Sequence, residues 1–429
     1  MSEPDDELEV ELQGEEHVEA SLRSPARLTA YARGLSGVVV PLLTTVIAFI
    51  VAGLMVLITG HNPLSTYKAF FNGTGLNWLF PWIGGGARAT AALELQQTLI
   101  QTTALILVGL AVAFAFRAGL FNIGGQGQYT VGGIVAVWLG SSFAGMPAGL
   151  HITLAIVAAA LAGAAWAGIA GVLKATLGVH EVISTIMLNW VAIWLGVYLL
   201  QLGGPLQDPA QASIPVSKTV AASAKLPVFW GNPQLQGLDI GIFIALAAVV
   251  VFWILISRTR LGYEVRAVGF NPDAASYAGM NVGRSYVRVM LFCGAFAGIA
   301  ASLDILGWKF QLFTNDIQAS QIGFLGIAVA LLGRNTAIGT VAAALLFGAL
   351  LTGTSERNLD PTVFDPNLAQ YLTYMIQGLI VLLVSTDVIA LRVLRSGRGI
   401  AVGFRRRPPR APATPEPASA DAASPEGTS

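Results

Sequence analysis

Apolar runs of about twenty residues recur along most of the chain, and they constrain the fold more than any other feature. The first such run extends from Gly37 to Ile58, and comparable runs follow as far as Leu391. A helix of about twenty residues spans roughly 30 Å, the thickness of the hydrocarbon core of a bilayer. Because the runs show no strand-like alternation, an outer-membrane barrel is not expected. The sequence predicts an all-α polytopic membrane protein.

The composition supports a membrane protein and excludes several functions. Only 11% of the residues are charged, whereas a soluble domain has about 25%. The net charge is zero, and no basic segment is interleaved with aromatic residues, so lipid is an expected partner and nucleic acid is not. Cys293 is the single cysteine and the four histidines are scattered. Neither an intramolecular disulfide nor a metal site is therefore expected.

About ten spans are predicted, with both termini inside the cell. In this topology the inside segments hold 18 of the 24 Lys and Arg residues. Basic residues favour the cytoplasmic side, so the distribution supports this orientation over its inverse. Residues 1–35 are acidic and residues 392–429 are rich in Arg, Pro and Ala, so both are expected to be disordered cytoplasmic tails. The membrane domain is placed at residues 36–391.

One stretch between two spans cannot continue as an ordinary lipid-facing helix. Residues 119–128 (GLFNIGGQGQ) contain four glycines and three amide side chains. Each glycine lowers helix stability by about 1 kcal/mol relative to alanine, and unwound backbone at membrane depth is typical of a transport path. The candidates for the path are Asn122, Gln126 and Gln128. Their amides can bind a sugar or a nucleobase, or they can instead hold the unwound backbone in place.

Four further residues are candidates for the substrate path, and each has an alternative role. Glu181 begins a span, where it can cap the helix or contact a gate. Asn189 can bond between helices or line the path, and Trp190 can pack in the bundle or offer a stacking surface. Phe313 can anchor the chain at the membrane interface or line an aromatic outer vestibule.

The segment around Phe313 combines aromatic and charged residues near the predicted outer surface. Trp308 and Phe310 share the two interpretations of Phe313, as interfacial anchors or as walls of a vestibule for a planar base. Asp304 is the one acid clearly inside a predicted span near the outside. It can pair with Lys309 or bind substrate.

A weak internal repeat indicates how the spans are arranged. Residues 133–140 (GIVAVWLG) resemble residues 326–333 (GIAVALLG), and each follows a polar break, at 121–128 and at 313–321. The copies lie five spans apart, so they run in opposite directions. This pattern predicts two inverted five-helix halves with discontinuous helices, and a site between the halves.

Four motifs follow one another along the chain: GLFNIGGQGQ (119–128), EVISTIMLNW (181–190), LGYEVRAVGFNPDAASYAGMNV (261–282) and IGFLGIAVALLGRNTAIGTVAAALLFG (322–348). In this order they resemble the integral membrane permeases of ABC importers, in the branch that serves nucleosides and simple sugars. The likeness covers about residues 38–390. One departure lies at Gly125 and Gln126, where this branch usually has alanine followed by an acidic residue; the change favours neutral hydrogen bonding.

By this resemblance, residues 258–284 form a coupling loop whose short helix docks into a separate ATPase. The residues themselves predict a helix over 273–280: Asn271 can cap it, Pro272 suits the first turn, and Asp273 is favourable there. An ordinary capped surface helix is the alternative. The residues assigned to coupling are Gly262, Gly269, Asn271, Pro272, Asp273, Ala275 and Gly279.

The resemblance implies a permease subunit in the plasma membrane, and not an enzyme. The chain has no Gly-Lys dipeptide and hence no GxxxxGK[ST] loop, so ATP is expected to be used by a separate ATPase subunit and no cofactor is expected on this chain. The other expected partners are an external substrate-binding protein or lipoprotein, and a second permease copy or a related permease.

The resemblance favours a nucleoside as the transported solute, with a simple sugar as the alternative. A secondary transporter or channel would also explain broken spans, but it normally needs ion-coupling acids in the membrane core, and this chain has almost none deep in a span. An intramembrane enzyme is not expected, since no Ser/His/Asp set is visible and no catalytic residue is assigned.

Overall fold

The computed structural model describes residues 25–232, 237–355 and 366–385. Within these ranges the chain is mostly helical, as predicted. The described strands are β1 (Val228–Trp230) and β2 (Leu238–Asp239), which pair antiparallel. The helices are α1 (Pro25–Ile58), α2 (Pro63–Gly73), α3 (Gly85–Arg117), α4 (Gly125–Ser141), α5 (Ala148–Leu177), α6 (Glu181–Leu200), α7 (Gly241–Arg258), α8 (Arg260–Phe270), α9 (Pro272–Tyr277), α10 (Val282–Asp304), α11 (Thr314–Ala319), α12 (Ile322–Leu332), α13 (Ala337–Gly353) and α14 (Pro366–Ser385).

In the described ranges, 7 helical segments are long and apolar enough to cross a bilayer. They are α1, α3, α5, α6, α7, α10 with the turn that follows it, and α11 joined to α12. Shorter apolar helices lie at Ala337–Gly353 and Tyr371–Leu383. These segments make the chain a polytopic membrane protein.

Several helices begin earlier than the sequence analysis predicted. α1 begins at Pro25, inside the segment assigned to the polar tail, and α3 begins at Gly85, in a more polar stretch ahead of its apolar run. Hydropathy locates only the membrane-embedded part of a helix and misses polar turns that extend it. The first turns of α3 are held by packing, since Ala91 and Leu95 are buried. Residues 1–24 and 392–429, which include most of both predicted tails, lie outside the described residues.

Two helices form the centre of the bundle. In their apolar windows, 83% of the residues of α3 and 78% of those of α10 are buried, against 28–39% for the other spans. α10 packs closely on α5: a Cβ at Gly294 would lie closer than 3.0 Å to the backbone of Gly163, and one at Gly298 would collide with Ala159. Small residues allow this approach, which is how helices pack tightly in lipid.

The contacts between segments distinguish two ends of the bundle. At one end, called the loop end, Arg117 Nε donates a hydrogen bond to the Asn335 carbonyl oxygen at 2.9 Å, and Gly269 lies against Arg117. At the other, called the far end, the segment between α6 and α7 packs on the residues after α10, where the Leu226 N–H donates to the Leu306 carbonyl oxygen at 2.9 Å. The first polar break leads into the bundle from the loop end, and the second leads into it from the far end.

Asp239 is a buried carboxyl group at the far end, just before α7. Its Oδ1 accepts a hydrogen bond from the Gly241 N–H at 2.6 Å. Burial, with a smaller contribution from nearby Asp304, raises the pKa of Asp239 from 3.8 to about 6. The pKa of Asp239 is therefore higher in the folded protein than in the unfolded chain. The contribution of the protonated carboxyl group to folding stability is complete at a pH below the unfolded pKa, and it is lost as pH rises through the folded pKa.

We therefore expect the Asp239→Asn variant to gain stability relative to the wild type as pH rises from about 4 to about 7, by up to roughly 3 kcal/mol. The amide keeps the acceptor for Gly241 and carries no charge that must be buried. The measurement is the thermal midpoint (Tm) of both purified proteins across this pH range. A Tm difference that does not change with pH would contradict the prediction.

Candidate functional site

The two polar breaks meet inside the bundle, where two half-helices begin. α4 begins at Gly125 after the non-helical residues 118–124, and α12 begins at Ile322. Gln126 Oε1 accepts a hydrogen bond from the Gly323 N–H at 3.0 Å. A Cβ at Gly323 would lie closer than 3.0 Å to the Gln126 backbone, so only glycine fits there. The N-terminal ends of the two half-helices are therefore in contact, and both carry the positive end of a helix dipole.

The amides of the first break bind one another and the backbone. Asn122 and Gln128 pair through both amide groups, at 3.0 and 3.3 Å. Asn122 Oδ1 also accepts from the Gly124 N–H at 2.9 Å. Asn122, Gln126 and Gln128 are each 1% exposed. In this conformation Asn122 holds the unwound backbone at Gly124, and the contact of all three amides with substrate stays a prediction.

Among these three amide side chains, one hydrogen-bond donor is left without a partner in the described residues. Gln126 Nε2 is buried and makes no hydrogen bond to any of the described residues. Leaving such a donor unmatched costs about 1–3 kcal/mol, so an acceptor that arrives there is stabilised. Tyr129 lies one helical turn further along α4. The free N–H distinguishes Gln126 from Asn122 and Gln128, whose amides are paired with each other.

Asn189 on α6 holds the break from the side. Its Oδ1 accepts a hydrogen bond from the Gly127 N–H at 2.8 Å, and its Nδ2 donates to the Ile123 carbonyl oxygen at 3.0 Å. A Cβ at Gly127 would lie closer than 3.0 Å to Asn189 Oδ1. Asn189 thus makes the interhelical contact named as one of its two possible roles, with bonds to the first turn of α4 and to the unwound backbone before it.

Replacing Asn189 by leucine is expected to destabilise the protein by about 2–5 kcal/mol, because it removes both bonds and leaves two backbone groups unmatched. The measurement is the Tm of the purified protein. Trp190→Leu is the matched control, since the Trp190 side chain is 57% exposed and its loss is expected to cost little. Equal stability of the two variants would contradict the assignment.

Glu181 lies at the loop end, in the first turn of α6, where a helix N-terminus favours a carboxylate. It is buried, and its Oε2 lies 2.9 Å from Lys174 Nζ on α5. Its Oε1 accepts from the Phe121 N–H at 3.4 Å. Glu181 thus joins α5 and α6 to the start of the break. Its position suits the predicted capping role, and the gate role stays a prediction.

The two aromatic candidates lie on the surface of the described chain. Trp190 is exposed on α6, and Phe313 is 38% exposed at the far end, just before α11. The Phe313 N–H donates to Asp316 Oδ2 at 3.2 Å, and Phe313 is the N-cap residue of α11. Neither side chain belongs to the cluster formed by the amides of Asn122, Gln126 and Gln128. The contact of both aromatic residues with substrate stays a prediction.

The predicted coupling loop consists of two short helices at the loop end, α8 and α9. Asn271 Oδ1 accepts a hydrogen bond from the Ala274 N–H at 3.0 Å, and Pro272 is the first residue of α9. The predicted cap and helix start are thus present. The helix ends at Tyr277 rather than Met280, because Gly279 has a φ of +80°, a left-handed conformation that ends helices.

The residues assigned to coupling occupy two kinds of position. Gly262 and Gly269 allow close backbone contact, and Ala275 is buried. The other four form an exposed surface on and beside α9; they are Asn271, Pro272, Asp273 and Gly279.

Two aromatic residues that flank α9 were missed by the sequence analysis. Phe270 is 94% exposed and Tyr277 is 95% exposed. Large exposed aromatic side chains are typical of protein-protein interfaces. Their sequence signal is that one aromatic precedes the short helix and the other ends it. Together with the exposed residues of α9, they give the loop end a surface suited to a partner protein.

The loop lies in close backbone contact with the residues that lead into the first break. Gly269, at the end of α8, lies against the backbone of Arg117 and Ala118, and Gly119 lies against Gly269 in turn. Arg117 Nε also donates to the Asn335 carbonyl oxygen before α13. The backbone of α8 and the backbone that leads into the first break are therefore packed directly against each other at Gly269.

Comparison with known proteins adds three relatives and a family. Residues 95–385 match the family model described as branched-chain amino acid transport system / permease component. The guanosine ABC transporter permease protein NupP of Bacillus subtilis is 41% identical over 77% of this chain and 89% of its own. The nucleoside ABC transporter permease protein NupB of Lactococcus lactis is 36% identical over 74% and 83%. The glucose ABC transporter permease protein TsgB13 of Haloferax volcanii is 33% identical over 87% and 92%.

Proposed function

Since the chain belongs to the family of branched-chain amino acid transport system permease components and is the membrane permease of an ABC transporter, we propose that it imports a nucleoside. It is a transport component and not an enzyme, and ATP is used by a separate ATPase subunit. The observation that carries the nucleoside proposal is the likeness to two relatives named for guanosine and nucleoside transport, at 41% and 36% identity. A simple sugar is the second candidate, favoured by the glucose permease relative.

We further propose ten membrane crossings, with the loop end and both termini in the cytoplasm. Three helices join the seven long apolar segments: α4, α13 and α14. Two contacts support opposite directions for the half-helices. The Gly140 carbonyl oxygen at the end of α4 accepts from the Ala221 N–H at the far end, while Asn335, just after α12, contacts Arg117 at the loop end. This fits two inverted five-helix halves within a membrane domain at residues 36–391, between cytoplasmic tails.

The proposed mechanism links the coupling loop to the solute path. The surface of Phe270, Tyr277 and α9 docks on the ATPase. ATP-driven movement of α8 is passed from Gly269 to Gly119, and the two half-helices separate where Gln126 meets Gly323. The path then passes the amides of the first break. An external binding protein delivers the solute at the far end, and a second permease, identical or related, completes the transporter.

The proposal is tested by uptake into liposomes that hold the permease with its ATPase and binding protein. We expect radiolabelled guanosine to enter only with hydrolysable ATP, and radiolabelled glucose to be excluded. Uptake of glucose in place of guanosine would support the sugar alternative. Uptake by the permease alone, without ATP, would identify a secondary transporter and contradict the proposal.

A further inference from the structure

A cavity of about 310 Å³ lies toward the far end, between α4, the turn that follows α10, and the α11–α12 segment. Small-molecule pockets measure about 300–1,000 Å³, so a small solute fits inside it. The walls are mainly polar and aromatic. The lining residues that matter for its chemistry are Tyr129, Asp304, Trp308, Lys309, Asp316 and Gln321.

Asp304 is the centre of the deep wall. The residue is buried at the end of α10, and three side chains converge on its carboxylate. Trp308 Nε1 donates to Oδ1 at 3.2 Å, the Tyr129 hydroxyl donates to Oδ2, and Lys309 Nζ lies 3.5 Å from Oδ2. A charged pair in a membrane-spanning region is costly, and such pairs usually mark a functional site.

The backbone is distorted where these residues converge. Residues Ile305–Lys309 form a π-helical turn, and Phe310 ends it with a φ of +58°. Turns of this kind are frequent at functional sites. In a regular helix Trp308 would share a face with Asp304 and Lys309 would not. The wider turn lets both residues reach the same carboxylate.

Lys309 is held loosely enough for a solute to replace its contacts. Its Nζ lies 3.5 Å from Asp304 and 3.4 Å from the Tyr129 hydroxyl, whereas strong bonds between charged groups measure about 2.7–2.9 Å. The ammonium also lies near the face of the Trp308 ring, 5.1 Å from its centroid. With Asp316, the cavity wall carries two acids and one cation, a balance that disfavours anionic solutes.

From these contacts we propose that the cavity around Asp304, Trp308 and Lys309 is the site where the permease first binds its solute, and that it selects an uncharged molecule with a flat ring and neighbouring hydroxyl groups. Asp304 accepts hydrogen bonds from the hydroxyls, Lys309 donates to one of them, and the ring stacks on Trp308. Phosphorylated forms are rejected. This inference rests on the proposed nucleoside function. Beyond Tyr129 in the cavity wall, the Gln126 Nε2 amide is the next side-chain donor on α4 that makes no hydrogen bond within the described residues.

The first test fills the cavity without changing the charged pair. Gln321 is exposed in the cavity wall, and Gln318 is exposed on α11 but is not part of the wall. Gln321→Trp is expected to reduce guanosine uptake by the full complex about tenfold or more, while Gln318→Trp keeps wild-type uptake. Tm and the amount of inserted protein are measured for both variants. Wild-type uptake by folded Gln321→Trp would overturn the proposal.

The second test removes the Asp304–Lys309 ion pair and leaves the net charge of the cavity wall unchanged. In the Asp304→Asn/Lys309→Met double variant, the Kd of the permease–ATPase complex for guanosine is expected to rise about tenfold or more. Wild-type complex is expected to bind 2′-deoxyguanosine more weakly than guanosine, and GMP not at all. The Tm of the double variant shows whether the variant is still folded, so that a change in Kd can be distinguished from a loss of stability.

The two tests distinguish a failure of this inference from a failure of the proposed function. Wild-type guanosine uptake with an unchanged Kd in a folded double variant would show a structural ion pair and overturn only the inference. Absence of guanosine uptake by the wild-type complex would overturn the proposed function, and the ligand class assigned to the cavity with it.

Discussion

Gly269→Ala is expected to reduce ATP-driven uptake by at least about tenfold, which corresponds to about 1.4 kcal/mol in the rate-limiting step. A Cβ at this position would lie closer than 3.0 Å to the Arg117 carbonyl oxygen and to Ala118. Backbone cannot move aside as the end of a flexible side chain can, so α8 must separate from residues 117–119. The contact that we propose to pass movement from the coupling loop to the first break is then lost.

The matched control is Gly283→Ala, the same substitution near the C-terminal end of the loop. Its Cβ would lie 3.4 Å from Ala175 Cβ, an ordinary contact. Uptake by reconstituted complexes is measured for both variants, together with ATPase activity and the amount of inserted permease. We expect ATP hydrolysis to continue in the Gly269 variant without matching uptake. Equal, wild-type uptake in both variants would rule out this route of coupling.

The second large effect is expected at Gly294, where α10 crosses α5. Gly294→Ala places a Cβ closer than 3.0 Å to the Gly163 backbone, so the two helices must move apart along their contact. Overpacking of this kind costs about 1–3 kcal/mol. We expect Tm to fall by about 5 °C and the yield of folded protein to decrease.

Gly149→Ala on α5 is the control for this variant. Nothing lies within 4 Å of a Cβ at Gly149, and alanine is favoured over glycine in a helix by about 1 kcal/mol. This control should therefore be as stable as the wild type or slightly more so. A Gly294 variant with wild-type Tm would show that α5 and α10 do not pack as closely as described.

Features set by local chemistry could be predicted from the sequence. The apolar runs predicted an all-α membrane protein, the glycines of residues 119–128 predicted a helix break, and Asn271-Pro272 predicted a capped helix start. Each of these depends on neighbouring residues alone. Helix bounds were less accurate, because the first turns of α3 are held by packing and the end of α9 depends on the backbone conformation of Gly279.

Contacts between distant segments could not be predicted in this way. Gln126 and Gly323 are 197 positions apart and meet only when the halves of the bundle pack together. The contact of Gly119 with Gly269 likewise depends on the position of α8. The Asp304 group depends on a π-helical turn, and a sequence pattern based on regular helices does not place Trp308 and Lys309 on the same carboxylate.

The most direct test of the account asks whether the state of the ATPase changes the meeting point of the half-helices. The native Cys293 is buried and is replaced by alanine, and Gln126→Cys then provides a single thiol in a complex shown to transport. Gly145→Cys, in the exposed turn between α4 and α5, is the control. We predict that the rate of modification at position 126 changes at least about tenfold between the ATP-free and ATP-trapped complexes, while the control rate stays constant. The same rate at position 126 in both states would contradict the account.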